Sequence, residues 1–250
     1  MCPTDLVKLG SSTAKEGFAN ERSIAEKFNN WKNDADAKKW LELMGYNLPE
    51  IEKVIAVIVH GYKTDVQVQI TIFMKTAISA ENLSVKLVSN PQGFNQVDKR
   101  WVDRYKELWN IPDDIVKLLK LFTGEIKPTE TNLRDTRRMY FDEMTEDDRR
   151  KILGFFTKNK ILIVTDILKG RGIFSAGWML VVLRTGGKVE WVLKTINEAM
   201  NVFGNGEVVF SPRGSLDIGL IGMQRKGGDG GRPTANMLQF KINPVNLMDD

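Results

Sequence analysis

Val66, Val68, Ile70 and Ile72 alternate with Gln67, Gln69 and Thr71. Successive side chains of a strand point to opposite faces, so this spacing predicts a strand with one apolar face. A second apolar stretch, Leu83-Ser84-Val85-Lys86-Leu87-Val88, follows a polar break expected at Ser79-Ala80-Glu81-Asn82. The two stretches pair as a hairpin or as adjacent antiparallel strands. If the hairpin turns near Lys75-Thr76, Asp65 at the start of the first strand lies opposite Lys86. Ser84 and Lys86, two residues apart, share a face of the second strand.

The rest of the chain alternates between helical and extended periods. Residues 1–50 read as helical: Phe18, Ile24, Ala25 and Phe28 fall near helical spacing, and Trp40, Leu41 and Leu43 continue a second helix that Asn47-Leu48-Pro49 ends. Asn90 to Gln96 reads as a loop, and residues 97–122 as two helices carrying Trp101, Tyr105, Leu108, Trp109, Ile115, Leu118 and Leu119. Trp101, Tyr105 and Trp109 recur at helical spacing and are expected in the core. Residues 123–138 are polar and irregular; a helix near 145–158 precedes an apolar run from Ile161 to Leu168. Strands are expected at 176–184, 188–194 and 206–223, with a helix near 195–203 and a Gly-rich basic tail over 224–241. The expected class is α/β, mixed α+β, with a central mixed sheet flanked by helices. One domain spans 1–250: a catalytic core over about 15–100, a helical middle over about 97–158 and a strand-rich part over about 160–250.

Composition narrows the chemistry. With 250 residues, 42% of them hydrophobic and 27% charged, the chain has enough apolar material for a core without disulfides. The net charge of +4 and pI near 9.0 lean toward an anionic partner. Cys2 is the one cysteine, so no internal disulfide forms and a reducing cytoplasm fits. His60 is the one histidine, which argues against zinc fingers and H-E-x-x-H hydrolases; it follows the apolar run Val54–Val59 as a strand-end residue. The N-terminal stretch lacks an apolar signal segment, and no apolar run approaches the ~20 residues a bilayer needs. The Gly227–Gly231 run lacks the G-x-x-x-x-G-K-[ST] pattern of a nucleotide cradle.

Hydrolysing a phosphodiester at neutral pH requires neutralised phosphate charge, an activated water and a stabilised leaving oxygen. Oxygen ligands holding Mg²⁺ meet much of this need. Asp65, Ser84 and Lys86 would converge at one end of the sheet as an acid, a Mg²⁺-compatible oxygen and a cation. On spacing alone this pattern is weak, since Asp…x-x-Lys triplets are common.

Longer runs are more specific. They include Gly17-Phe18-Ala19-Asn20-Glu21, Lys86–Asn90, Gly93–Lys99, Asp166–Gly172, Ser211–Ser215 and Gln224 through Lys241. In order and over nearly the whole length, these resemble the HinP/MspI group of type II restriction endonucleases, of PD-(D/E)xK nuclease fold. The resemblance implies Mg²⁺-dependent double-strand cleavage at short G+C-rich palindromes, GCGC for the HinP member and CCGG for the MspI member. It implies Asp65 as the metal-binding carboxylate and Lys86 as the lysine. The middle position, an amide in those relatives, is Ser84 here. A serine is shorter and neutral, so it would bind a metal-held water or leave the contact to the Val85 carbonyl. Glu21, with Glu26 behind it, is the acid expected to compensate. Mn²⁺ is expected to substitute for Mg²⁺, and Ca²⁺ to support binding only.

The same resemblance marks the DNA-reading parts. Phe94 and Gln96 would enter the minor groove as an apolar wedge and an amide, with Asn95, Asp98 and Lys99 adding contacts. Arg225, Lys226, Arg232, Thr234, Asn236, Gln239 and Lys241 would contact bases and phosphates, because Arg and Lys suit guanine O6/N7 while amides suit paired base-edge contacts. The expected partner is double-stranded DNA, with a cognate DNA methyltransferase as functional partner and no membrane. The chain acts as monomer or homodimer in a bacterial cytoplasm. The rival reading is a catalytically weak or inactive DNA-binding protein, motivated by Ser84; an RNA-processing nuclease with the same core is a third.

Overall fold

The computed structural model describes residues 3–59, 68–228 and 232–248, with side chains from Lys15 onward. Asp65, His60 and Cys2 lie outside the residues so described. The chain begins with α1 (Pro3–Asn29) and α2 (Ala35–Leu43), then β1 (Ile51–Ile58), β2 (Val68–Met74), β3 (Ile78–Val88) and β4 (Asn95–Arg100). Four helices follow: α3 (Val102–Trp109), α4 (Asp113–Thr123), α5 (Glu146–Lys158) and α6 (Lys160–Leu168). The last third holds β5 (Trp178–Thr185), β6 (Lys188–Thr195), α7 (Ile196–Gly204), β7 (Val208–Phe210), β8 (Leu216–Ile218), β9 (Ile221–Arg225) and β10 (Leu238–Ile242). Among the described residues no helix is long and apolar enough to cross a membrane.

The elements divide into two compact units. One is built mainly from Gly10–Gly93 and Leu168–Ala199, the other from Phe94–Ile167 and Met200–Asn243. The first contains a mixed sheet in the order β1-β2-β3-β5-β6. Its β1–β2, β2–β3 and β5–β6 pairs are antiparallel, while β3 and β5 run parallel from Leu83 opposite Trp178 to Val88 opposite Leu183. Central strands are covered on both faces, which is why Leu83, Ser84, Val85 and Lys86 are all buried rather than alternately so.

The helices of this unit are recruited by sequence pattern. Asn20, Ile24 and Phe28 recur every fourth residue of α1 and are buried, the stripe an amphipathic helix turns to a core. The Asp34 carboxylate accepts from the Ala37 amide at 2.9 Å and caps α2, which buries Ala37, Trp40 and Leu41. Phe28 and Trp40 pack with ring centroids 5.2 Å apart, and Trp191 meets Trp40 edge-on at 5.5 Å. These rings join Val54, Ile70, Ile72, Leu83 and Val85 in one core. At the sheet edge Asn29 donates to the Ala56 carbonyl at 3.0 Å and accepts from its amide at 2.8 Å. A side chain thereby occupies backbone groups that would otherwise template aggregation.

The second unit contains an entirely antiparallel sheet in the order β4-β10-β9-β8-β7. On one face Tyr105 stacks on Trp109 at 4.4 Å, and both meet Phe240 of β10 at 5.5 and 5.7 Å. Leu216, Ile218, Ile221 and Met223 are fully buried. Gly219, with φ +58°, makes the β8–β9 turn; a Cβ there would sit on the Asn205 carbonyl, so the turn requires glycine.

The fold is mixed α+β, and the turn falls at Lys75-Thr76. Four local expectations change. The strands form two sheets instead of one. The polar stretch Ser79–Asn82 is not a break but part of β3, because its side chains find partners. The Tyr46 hydroxyl donates to Glu81 at 2.5 Å, Trp178 Nε1 donates to Glu81 at 2.8 Å, and Asn82 Nδ2 donates to the Ile173 and Ser175 carbonyls. Residues 95–100 are a strand, not a loop running into a helix, and the first helix of that region starts at Val102. The stretch 206–223 holds β7, β8 and the start of β9, separated by turns.

Candidate functional site

Ser84 and Lys86 lie on the face of β3 opposite Leu83 and Val85, the latter two belonging to the apolar core. Ser84 is 1% exposed and Lys86 5% exposed. The Ser84 Oγ has no hydrogen-bond partner among the described residues. A buried hydroxyl without a partner costs free energy, so the atom suits a ligand or a residue outside the described ones. A metal-bound water fits such an atom. Among the described residues no cluster of three or more Asp, Glu, His or Cys side chains forms a metal cage. The pairing of β2 with β3, Val68 opposite Leu83, is the one from which Asp65 was expected opposite Lys86.

On α1, Glu21 is half-buried and Glu26 exposed. Its neighbour Asn20, which did not stand out in the sequence, is 1% exposed. The Asn20 Oδ1 accepts from Arg184 of β5 at 3.1 Å, while Nδ2 has no partner among the described residues. Its legible signs were its place in the Gly17–Glu21 run and at the head of the Ile24–Phe28 stripe.

Phe94, 59% exposed, follows a tight turn in which Gly93 N donates to the Asn90 carbonyl at 2.8 Å. It is not a core anchor. On β4 a bulge between the pairs Phe240–Asp98 and Lys241–Gln96 puts Asp98 and Gln96 on opposite faces of the antiparallel sheet. Asp98 and Arg100 turn to the core side. Arg100 Nη1 lies 3.0 Å from Asp98 and donates to Asp166 of α6 at 3.0 Å. Tyr105 donates to Asp98 at 2.8 Å and Trp109 Nε1 to Asp166 at 2.9 Å. Burial pushes the Asp98 carboxyl up despite Arg100, and burial followed by Asp98 drives the Tyr105 phenol well above its ordinary value.

Gln96 and Lys99 turn to the other face. Register puts Lys241 opposite Gln96 and Gln239 opposite Lys99. Four residues expected to contact DNA therefore lie together on one sheet face: Gln96, Lys99, Gln239 and Lys241. Asp217 and Gln224 join them, from β8 and β9. Neither was singled out in the sequence, although Leu216-Asp217-Ile218 carries the alternation that marks a strand's polar face.

Arg225 and Asn236 are committed elsewhere. Arg225 Nε donates to the Thr123 carbonyl at 2.8 Å and Nη2 to Asn236 Oδ1 at 2.7 Å; Asn236 in turn donates to the Gly124 carbonyl at 2.9 Å. Together they satisfy carbonyls at the end of α4. Burial, then the nearby Arg138 and Arg137, lower the Arg225 pKa. Lys226 and Thr234 are half-buried near this end of the sheet, and Arg232 is exposed.

The family model described as R.HinP1I restriction endonuclease matches residues 44–248. The solved structure of the restriction endonuclease MspI in complex with its cognate DNA is similar in fold, with a TM-score of 0.60. The similarity covers 89% of this chain and 87% of that one at 14% identity. No curated protein sequence matches.

Proposed function

From the premise that the chain belongs to the R.HinP1I restriction endonuclease family, and is thus a site-specific deoxyribonuclease, we propose that it makes Mg²⁺-dependent double-strand cuts at a short G+C-rich palindrome, GCGC or a related site, leaving 5′-phosphate ends. The observation that carries the chemistry is the buried Ser84 hydroxyl, without a partner among the described residues, beside Lys86 on one face of a central strand.

In this reading the Asp65 carboxylate, the Ser84 hydroxyl and the Val85 carbonyl hold the divalent ion, Ser84 through a water. When bound, Mg²⁺ neutralises phosphate charge and acidifies a water. Lys86 holds the scissile phosphate or the attacking water, its rotamer fixed by packing in the sheet centre. Glu21 supplies further negative charge. Phe94 and Gln96 enter the minor groove, and the polar face of the antiparallel sheet meets base edges. The fold shared with MspI, solved on its cognate DNA, supports double-stranded DNA as the substrate. A methyltransferase protecting the host's own sites is the implied functional partner.

Plasmid DNA incubated with Mg²⁺ should give discrete fragments, and EDTA should abolish them. Sequenced fragment ends then give the site. Absence of fragments with Mg²⁺ and Mn²⁺ would refute the cutting reading and leave a DNA-binding protein.

A further inference from the structure

On the polar face of the antiparallel sheet one row runs across the strands: Val209, Asp217, Gly222, Lys241 and Gln96 stand opposite one another in turn. Asp217 and Lys241 flank Gly222, two strand spacings or about 10 Å apart at the backbone. Both side chains are half-buried. Neither enters a hydrogen bond or ion pair with another described residue. A Cβ on Gly222 would lie in ordinary contact with Asp217 Oδ1 at 3.5 Å and Gln224 Nε2 at 3.6 Å, so both side chains reach over this point of the row.

We propose that Asp217 and Lys241 read one G·C base pair from the major groove, Lys241 donating to guanine O6/N7 and Asp217 accepting from the cytosine N4 amino group. This rests on the reading of the chain as a DNA-cutting enzyme and names residues that set its specificity. The carboxylate decides between base and backbone. A row of lysine and amides alone would suit phosphates, but an acid repels phosphate, and what it accepts from DNA is an amino group on a base edge. Burial alone lifts the Asp217 carboxyl and lowers the Lys241 ammonium, with no neighbouring charge offsetting either. Charges desolvated without a partner destabilise the free protein and mark a place where a ligand completes the pairing.

The test is selection of a random-core DNA duplex pool by the full chain with Ca²⁺, followed by affinity measurements on single-substitution duplexes. The wild type should enrich one palindrome. Asp217→Asn should relax discrimination at one cytosine and its symmetry mate by about 5- to 100-fold, and Lys241→Gln at the guanine of the same pair. Melting temperature should hold or rise in Asp217→Asn, because a half-buried uncompensated charge is removed. If Asp217→Asn fails to fold, Lys241→Gln still reads the same pair. Unchanged specificity in both variants, or a uniform loss across all duplexes, overturns the base-reading assignment alone. Failure of the wild type to enrich any sequence overturns the nuclease reading together with this one.

Discussion

The two sheets have five strands each and treat polar groups in opposite ways. In the mixed sheet Ser84 and Lys86 are hidden on a strand flanked on both sides, among apolar neighbours. In the antiparallel sheet the core itself holds charge, Arg100 between Asp98 and Asp166, while the opposite face carries Gln96, Lys99, Gln224 and Lys241, with Gln239 buried among them. Chemistry needs a few atoms fixed in a dry setting. Reading a long ligand needs a row of donors and acceptors at regular spacing, which cross-strand register supplies. The buried charge behind that row ties β4 to α6.

This contrast breaks most visibly at Arg100. Arg100→Met leaves two carboxylates buried without their cation and should cost about 3–5 kcal/mol by urea unfolding, the range for removing one partner of a buried pair. A change below about 1 kcal/mol would show that the Tyr105 and Trp109 donors suffice. Lys86→Ala acts in the other unit and on rate. Cutting should fall by about 10²–10⁴-fold while duplex affinity in Ca²⁺ stays near wild type. Retained cutting would remove Lys86 from its role.

Tyr46→Phe removes the bond to Glu81 that keeps the polar half of β3 in the sheet, and should cost about 1–2 kcal/mol. Burial and then Glu81 push the Tyr46 phenol up to about 12, so this contribution persists below pH 10, the ordinary tyrosine value, and fades as pH rises toward 12. Loss of the wild-type advantage already at neutral pH would contradict it. Ser84→Ala should change stability by less than about 1 kcal/mol, since no protein partner is lost, yet lower cutting. A large stability loss would mean that the hydroxyl serves the fold.

The smallest effect lies on the surface of the antiparallel unit. Both guanidinium nitrogens that Arg137 offers Asp135 lie at 2.8 Å, and the Asp135 carboxyl drops from 3.8 to about 2. Its stabilisation is present above pH 3.8 and lost as pH falls through 2. With Arg137 71% exposed, solvent screening holds it under about 1 kcal/mol. Asp135→Asn compared with wild type in urea at pH 5 and pH 2 should show a small difference that shrinks at the lower pH.

Legibility in the sequence followed residue type. The alternation from Val68 to Ile72 gave β2, and the spacing of Ile115, Leu118 and Leu119 gave α4, because buried positions there are apolar. β4 was missed because its core-facing positions are Asp98 and Arg100, which no hydrophobic period marks. The run Ile161–Leu168 was read only as apolar, because a short, mostly apolar stretch fits a buried helix or a buried strand. It is helix α6, with Ile163, Val164, Ile167 and Leu168 buried alongside Asp166. Of the candidate site, Ser84 and Lys86 were readable as a pair by spacing of two. Asp217 was not, because the alternation of Leu216-Asp217-Ile218 is only three residues long.

By itself, the sequence determined the mixed α+β class, the antiparallel pairing of β2 with β3, and the shared face of Ser84 and Lys86. These depend on local period, which is written residue by residue. Only tertiary structure decided that the strands split into two sheets, that Ser79–Asn82 joins β3, that Asp98 serves the core, and that Asp217, Gly222 and Lys241 form one row. Each of these is settled by a partner far along the chain: Trp178 for Glu81, Asp166 for Arg100, β4 for β10. A polar side chain does not announce in sequence whether a distant group will satisfy it or whether it stands ready for a ligand.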